Sequence, residues 1–244
     1  MDKKIINPLL DTKNKNMNLI NPFVLKKGIP TDGLVLYLPF NGNSNDESGN
    51  GYHATNYGAT LTTNRKGESN KAYSFDGSND YMTLVKTPMN GLQKYTISLW
   101  FNINAFSDYA SFFGSRDGNY NVLYFGLYSL SLVSDLSGVI SNGTSLLQLN
   151  KHRTNNPPQL QTSTWYHGVM YHDGSGTNKL YIKLNNNYLY SSVTGLSGNL
   201  VLNDLIKIGT DDNLSGRYFN GKIDDIRVYN RILTSDEITA LYNE

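Results

Sequence analysis

Tyr95-Thr96-Ile97-Ser98-Leu99-Trp100-Phe101 alternates large apolar residues with Thr and Ser at a period of two. On a strand, successive side chains leave on opposite faces, so one set enters a core and the other stays outside. The same signature recurs on both sides of this segment. Upstream are Leu34-Val35-Leu36-Tyr37-Leu38, ended by Pro39, then Lys71-Ala72-Tyr73-Ser74-Phe75 and Asp80-Tyr81-Met82-Thr83-Leu84. Downstream are Ser111-Phe112-Phe113, the run from Val122 to Leu127, Trp165 to Tyr171, Lys179 to Leu184, Leu205 to Ile208, and Gly221 to Tyr229. Clusters of Gly, Asn, Asp and Ser separate most of them, the residues that turns require. Short alternating strands with such punctuation predict antiparallel sheets packed as a sandwich or jelly roll. Helical periodicity is confined to the end of the chain. There Thr234-Ser235-Asp236-Glu237 forms a capping box, and Ile238, Leu241 and Tyr242 share one face. The stretch from Ser129 to Gln161, with Pro157-Pro158, is expected to hold a long loop near its end.

Composition agrees. The chain has 244 residues, 39% hydrophobic and 17% charged, with 18 tyrosines. This is enough apolar material for one large sandwich and too little charge for a disordered chain. A net charge of +1 offers no global field for nucleic acid, so no nucleic-acid partner is expected. With no cysteine, disulfide frameworks, zinc–cysteine sites and cysteine nucleophiles are excluded. No run is apolar and long enough for a signal peptide or membrane span. Residues 1–30 stand apart, with six Lys and two Asp for a charge of +4, which leaves −3 on the rest. They carry short apolar clusters and the pairs Asn7-Pro8 and Asn21-Pro22, which favour extended backbone. The expected division is an extended arm or anchor over 1–30 and a globular domain over 31–244.

Three segments carry a family likeness. The first runs from Leu34 to Phe40 and on through Asn45-Asp46-Glu47-Ser48-Gly49-Asn50-Gly51-Tyr52-His53-Ala54. The second is Ala72-Tyr73-Ser74-Phe75-Asp76-Gly77-Ser78-Asn79-Asp80-Tyr81. The third runs from Phe219 through Gly221-Lys222-Ile223-Asp224-Asp225-Ile226-Arg227-Val228-Tyr229 to Ile238. Together they resemble the laminin-G-like jelly-roll domains of the concanavalin-A-like lectin/glucanase superfamily, over about residues 33–244. Asn185-Asn186-Asn187 departs from the glycine turn more usual there. The resemblance implies an all-β, two-sheet antiparallel jelly roll with one short C-terminal helix. It also implies a non-enzymatic binding or structural role. The expectation is a phage virion component displayed through residues 1–30 on other virion proteins, with cell-surface glycan as a ligand. The alternatives are an adhesion or carbohydrate-binding module on a bacterial surface and, remotely, a glycan hydrolase.

Hydrolysis needs a pair of carboxylates at a set separation. The glutamates are Glu47, Glu68, Glu237 and Glu244, none on a central strand, and no Glu-x-x-Glu strand motif is present. Asp224 and Asp225 are chain neighbours and are expected on opposite strand faces. His53, His152, His167 and His172 form no nucleophile machinery. The resemblance implies a structural Ca2+ where the Asn45–Gly51 loop meets the last strand, at Asp46, Asn50 and Asp224, with Asp224 turned inward. Oxygen-rich, glycine-containing loops suit that ion. Asp76-Gly77-Ser78-Asn79-Asp80 reads as a hairpin turn instead. Candidate ligand-binding residues are Tyr57, Tyr109, Asp117, Asn119, Tyr120 and Tyr218, while Trp100 and Trp165 are assigned to the core.

Overall fold

Each alternating segment forms a strand in the computed structural model of this chain, which describes residues 28–85, 87–117, 121–130, 133–150, 160–174, 179–186, 188–193, 199–203, 205–211 and 217–244. In chain order the strands are β1 (Leu34–Leu38), β2 (Ala54–Tyr57), β3 (Thr60–Thr62), β4 (Ala72–Asp76), β5 (Tyr81–Leu84), β6 (Tyr95–Ala105), β7 (Ser111–Asp117) and β8 (Asn121–Leu130). They continue as β9 (Val133–Ser141), β10 (Leu146–Asn150), β11 (Trp165–His172), β12 (Lys179–Leu184), β13 (Tyr188–Val193), β14 (Lys207–Ile208) and β15 (Asn220–Tyr229), followed by helix α1 (Ser235–Tyr242). One sheet is ordered β13-β12-β11-β6-β15-β4-β3, with β1 also on β15, and the other β10-β9-β8-β7-β14-β5-β2. The strand ladders are antiparallel.

The period-two pattern places the core between the sheets. Ile97, Leu99, Phe101 and Ile103 of β6 face Phe112 and Phe113 of β7 and Leu123, Phe125 and Leu127 of β8. The Phe101 and Phe112 rings stack at 4.3 Å, and Phe219 meets Phe112 edge-on at 4.9 Å. Each such buried side chain stabilises the fold by about 1.5–3 kcal/mol. Gly209 follows β14 where the sheets close. Its φ is +87°, and a Cβ there would lie 2.5 Å from the Phe75 ring, so glycine answers both a left-handed turn and a close approach.

Helix α1 covers part of the outer face of the β6 sheet. Ile238 and Leu241 of α1 pack on Val169, Tyr229 and Leu233. The capping box forms as its residues predict: Thr234 Oγ1 accepts from the Glu237 N–H, and the Glu237 carboxylate accepts from the Thr234 N–H. Asn185 and Asn186 turn the β12–β13 hairpin with φ of 47° and 58°, which Asn tolerates. That turn is anchored twice: Asn185 Oδ1 accepts from the His167 N–H and Asn186 Nδ2 donates to Thr239 Oγ1.

The stretch after Ser129 holds strands β9 and β10, and the long loop expected near its end falls on residues 151–159, outside the described residues. In β9, Leu136 and Ile140 point to the core with Gly138 between them, so the apolar period is interrupted by a residue without a side chain. Residues 1–27, which make up nearly all of the expected arm, lie outside the described residues, as do Asn119, Tyr120, Asn187 and residues 151–159.

Candidate functional site

Tyrosines gather at one end of the sandwich. In β5, Met82 and Leu84 enter the core, so Tyr81 and Thr83 face out. Register pairs Tyr81 with Tyr57 of β2, and their rings stack at 4.7 Å with 12° between planes. Tyr218, just before β15, approaches Tyr81 at 6.4 Å. Tyr57 remains 47% exposed, so the row ends in an open ring face. The β6–β7 loop supplies further rings. Phe106 is 40% exposed and Tyr109 38% exposed, and Ser107 Oγ donates to the Tyr218 carbonyl. The Arg217 guanidinium lies 5.2 Å from the Tyr109 ring centre, in cation–π range. Its other neighbour is Asp211, fully buried, which also takes Arg116 Nε at 2.8 Å.

The turn that carries Tyr81 is fixed by carboxylates. Asp76 accepts from the N–H groups of Ser78, Asn79 and Asp80, and these bonds hold its carboxyl below the ordinary range. Asp80 accepts from the Asp76 N–H, yet burial and the Asp76 charge push its carboxyl up. A Cβ at Gly58 would lie 2.1 Å from Asp80 Oδ1, so the β2–β3 turn and the β4–β5 turn are locked together through a missing side chain.

Among the expected ligand residues, Tyr57 and Tyr218 thus meet in one row, and Tyr109 joins them through Arg217. Asp117 does not: it ends β7, about 20 Å of strand from the end near Tyr109. The sequence reading missed Tyr81 and Phe106. Tyr81 was detectable, because it shares strand parity with Thr83 and opposes Met82 and Leu84.

The expected calcium ligands take separate partners. Burial would raise the Asp46 carboxyl, but N–H donors from Tyr37, Ser48 and Tyr52, at 2.9–3.0 Å, hold it below the ordinary range. The Ser48 hydroxyl adds a fourth bond at 2.9 Å. Asn50 Nδ2 donates to the Val35 carbonyl at 2.9 Å. Asp224 instead meets Arg65 Nη1 at 2.6 Å. A carboxylate wrapped in N–H donors and another on a guanidinium do not fit as ligands of one calcium ion. No group of three or more His, Asp or Glu side chains is gathered for a metal among the described residues.

Asp224 and Asp225 also differ from their expected opposition. Asp225 has a φ of 53° and sits in a bulge of β15 against β6. The extra residue shifts the alternation, so Ile223 and Ile226 both reach the core. Both carboxylates then emerge on the outer face, where Arg65 grips them at 2.6 and 3.1 Å. Burial pushes the Asp224 carboxyl up to about 7, with Arg65 opposing the shift. Arg227 pairs with Asp225 and Glu244 and covers the Tyr37 ring at 4.3 Å. Glu244, beyond α1, thus joins the network through Arg227.

Trp100 and Trp165 likewise leave the core. They share outward parity with Ser98, Asn102 and His167, since Phe101 and Tyr166 point inward. Trp100 lies between Arg65, 4.8 Å from its ring centre, and Tyr242 of α1, stacked at 5.6 Å. His167 Nε2 and Ser98 Oγ are 2.8 Å apart beneath the helix.

Residues 76–239 match the family described as the Concanavalin A-like lectin/glucanases superfamily. A search of curated proteins finds no match. Domain 4 of AbnA, a GH43 extracellular arabinanase from Geobacillus stearothermophilus, solved with arabinotriose, is 20% identical with a TM-score of 0.62; the match covers 86% of this chain and 98% of that one. The binding domain of Paraclostridial mosquitocidal protein 1 is 19% identical with a TM-score of 0.68, covering 87% of this chain and 52% of the other. Botulinum neurotoxin type C, whose cell entry depends on two ganglioside molecules, is 18% identical with a TM-score of 0.65, covering 87% and 51%. The chain spans about half of these toxin chains. These likenesses show a shared fold. Among the described residues no helix is long and apolar enough to cross a membrane.

Proposed function

The chain belongs to the concanavalin A-like lectin/glucanase superfamily, and from that premise we propose that it is a carbohydrate-binding module that holds an oligosaccharide without cleaving it. The observation that carries this reading is the row Tyr57, Tyr81 and Tyr218, ending in an exposed ring face. Aromatic faces take the C–H face of a sugar ring and bury it from water, while nearby carboxylates and amides hydrogen-bond its hydroxyls. Asp76, Asp80 and Asn79 stand in the turn beside Tyr81 for that purpose.

Two relatives in fold support the reading. The arabinanase domain, matched along nearly its whole length, was solved with arabinotriose. The type C toxin engages ganglioside, although this chain matches about half of it. Against hydrolysis, the adjacent carboxylates of central strand β15, Asp224 and Asp225, are committed to Arg65 and buried.

The test is a panel of immobilised oligosaccharides that includes arabinotriose, probed with wild-type protein and Tyr57→Ala. The expected result is a defined set of wild-type hits among the neutral sugars, each weakened at least about tenfold in the variant, or ~1.4 kcal/mol. A silent panel, release of shortened sugar products, or an unaffected variant contradicts the proposal.

A further inference from the structure

A second row of side chains crosses the other sheet. Register places Ser74 of β4 beside Lys222 of β15, Lys222 beside Asn102 of β6, and Asn102 beside Trp165 of β11. All four point away from the core, because Tyr73, Phe75, Ile223, Phe101, Ile103 and Tyr166 fill it. Neighbouring strands lie ~4.8 Å apart, so the row is about 14 Å long. It lies one pair of residues beyond the point where Tyr242 of α1 stacks on Trp100, with Ser74, Lys222 and Trp165 partly buried and Asn102 buried.

Three polar ends in this row are unused. The Lys222 ammonium, the Asn102 amide and the Trp165 indole N–H make no hydrogen bond or ion pair with the protein among the described residues. Asn102 is 6% exposed as a residue, yet its amide atoms are not among the buried polar atoms cut off from solvent, so they are reached from the outer side of the sheet. The carboxylates nearest along the strand do not neutralise Lys222. Asp224 and Asp225 are both held by Arg65, and Arg227 takes Asp225 as well. Lys66, beside Arg65, is exposed.

We infer that this face is a second saccharide site, selective for a sugar that carries a carboxylate. The Trp165 indole supplies the stacking surface, Asn102 a donor and an acceptor for ring hydroxyls, and Lys222 the cation for the carboxylate. Trp100 stands diagonal to Trp165, about 7–8 Å away in backbone terms, with its ring held between Arg65 and Tyr242. The site stands on its own observation and lies on the opposite sheet from the tyrosine row.

The chain has two tryptophans, Trp100 and Trp165, and both line this face. Tryptophan emission therefore reports on this site and not on the tyrosines. The full-length protein is titrated with trigalacturonate, sialyllactose and a hyaluronan tetrasaccharide, with neutral galactotriose as control. The expected result is a saturable emission change with at least one acidic sugar, at least fivefold weaker in Lys222→Gln and with rising salt, and unchanged in Tyr57→Ala. Calorimetry on Trp165→Ala, with melting checked, is expected to show that binding lost. No saturable change with any acidic sugar, an equal response to galactotriose, wild-type affinity in Lys222→Gln, or loss of the signal in Tyr57→Ala overturns the inference. A silent sugar panel alongside a positive emission titration sinks the tyrosine reading and leaves this one standing.

Discussion

At Asp225 the backbone passes through a φ of 53° in the middle of a central strand, and the consequences are chemical. The bulge brings two acids to one face and requires Arg65 to hold them. Asp224 is the group to follow with pH. Its carboxyl is raised by burial to about 7, above the ordinary 3.8. The folded state therefore binds this proton more tightly than the unfolded chain between those values. Its contribution to stability is greatest below about pH 4 and is lost as pH rises through about 7. Comparing urea midpoints of wild type and Asp224→Asn from pH 4.5 to 8 isolates the effect. The wild type is expected to lose stability relative to the variant across this window, and parallel curves refute the assignment. Sequence parity placed Asp224 inward with Ile226, because a bulge has no period of its own. The one hint was the Asp-Asp pair itself, a poor strand former able to adopt left-handed φ.

Elements with strong local rules were legible. The helix was readable from its capping box and the apolar face of Ile238 and Leu241, and the central strands from their alternation. The β9 strand was not, since Gly138 occupies a core-facing position and apolar Val139 faces the other way. The Asn45–Gly51 loop shows another limit. Its oxygen donors match a calcium loop in composition, but folding turns the Asp46 carboxylate onto backbone N–H groups that a sequence does not count. The loop is thus a hydrogen-bonded clasp between β1 and the chain leading to β2. The expected outcome of chelation follows: EDTA leaves the melting temperature within about 1 °C of that in millimolar Ca2+. A fall of several degrees on chelation restores the metal reading.

At the scale of the whole molecule, the two sheets present different outer surfaces. One carries the tyrosine row at its end, beside the Asp211 and Arg116 pair. The other is split between the helix with its charge network and the Trp165 row. The jelly roll was readable from period and punctuation alone, because every strand needs one apolar face whatever its neighbours are. The ligand surfaces were only partly readable. Which tyrosines meet depends on cross-strand register, and both tryptophans looked like core residues until the parity of Phe101 and Tyr166 was fixed by packing. The most direct measurement is calorimetric titration of the strongest neutral hit from the sugar panel into four proteins: wild type, Tyr57→Ala, Tyr218→Ala and Trp165→Ala. The tyrosine row as saccharide platform predicts at least about tenfold weaker binding in both tyrosine variants and wild-type affinity in Trp165→Ala. Equal affinity across wild type and the tyrosine variants contradicts it.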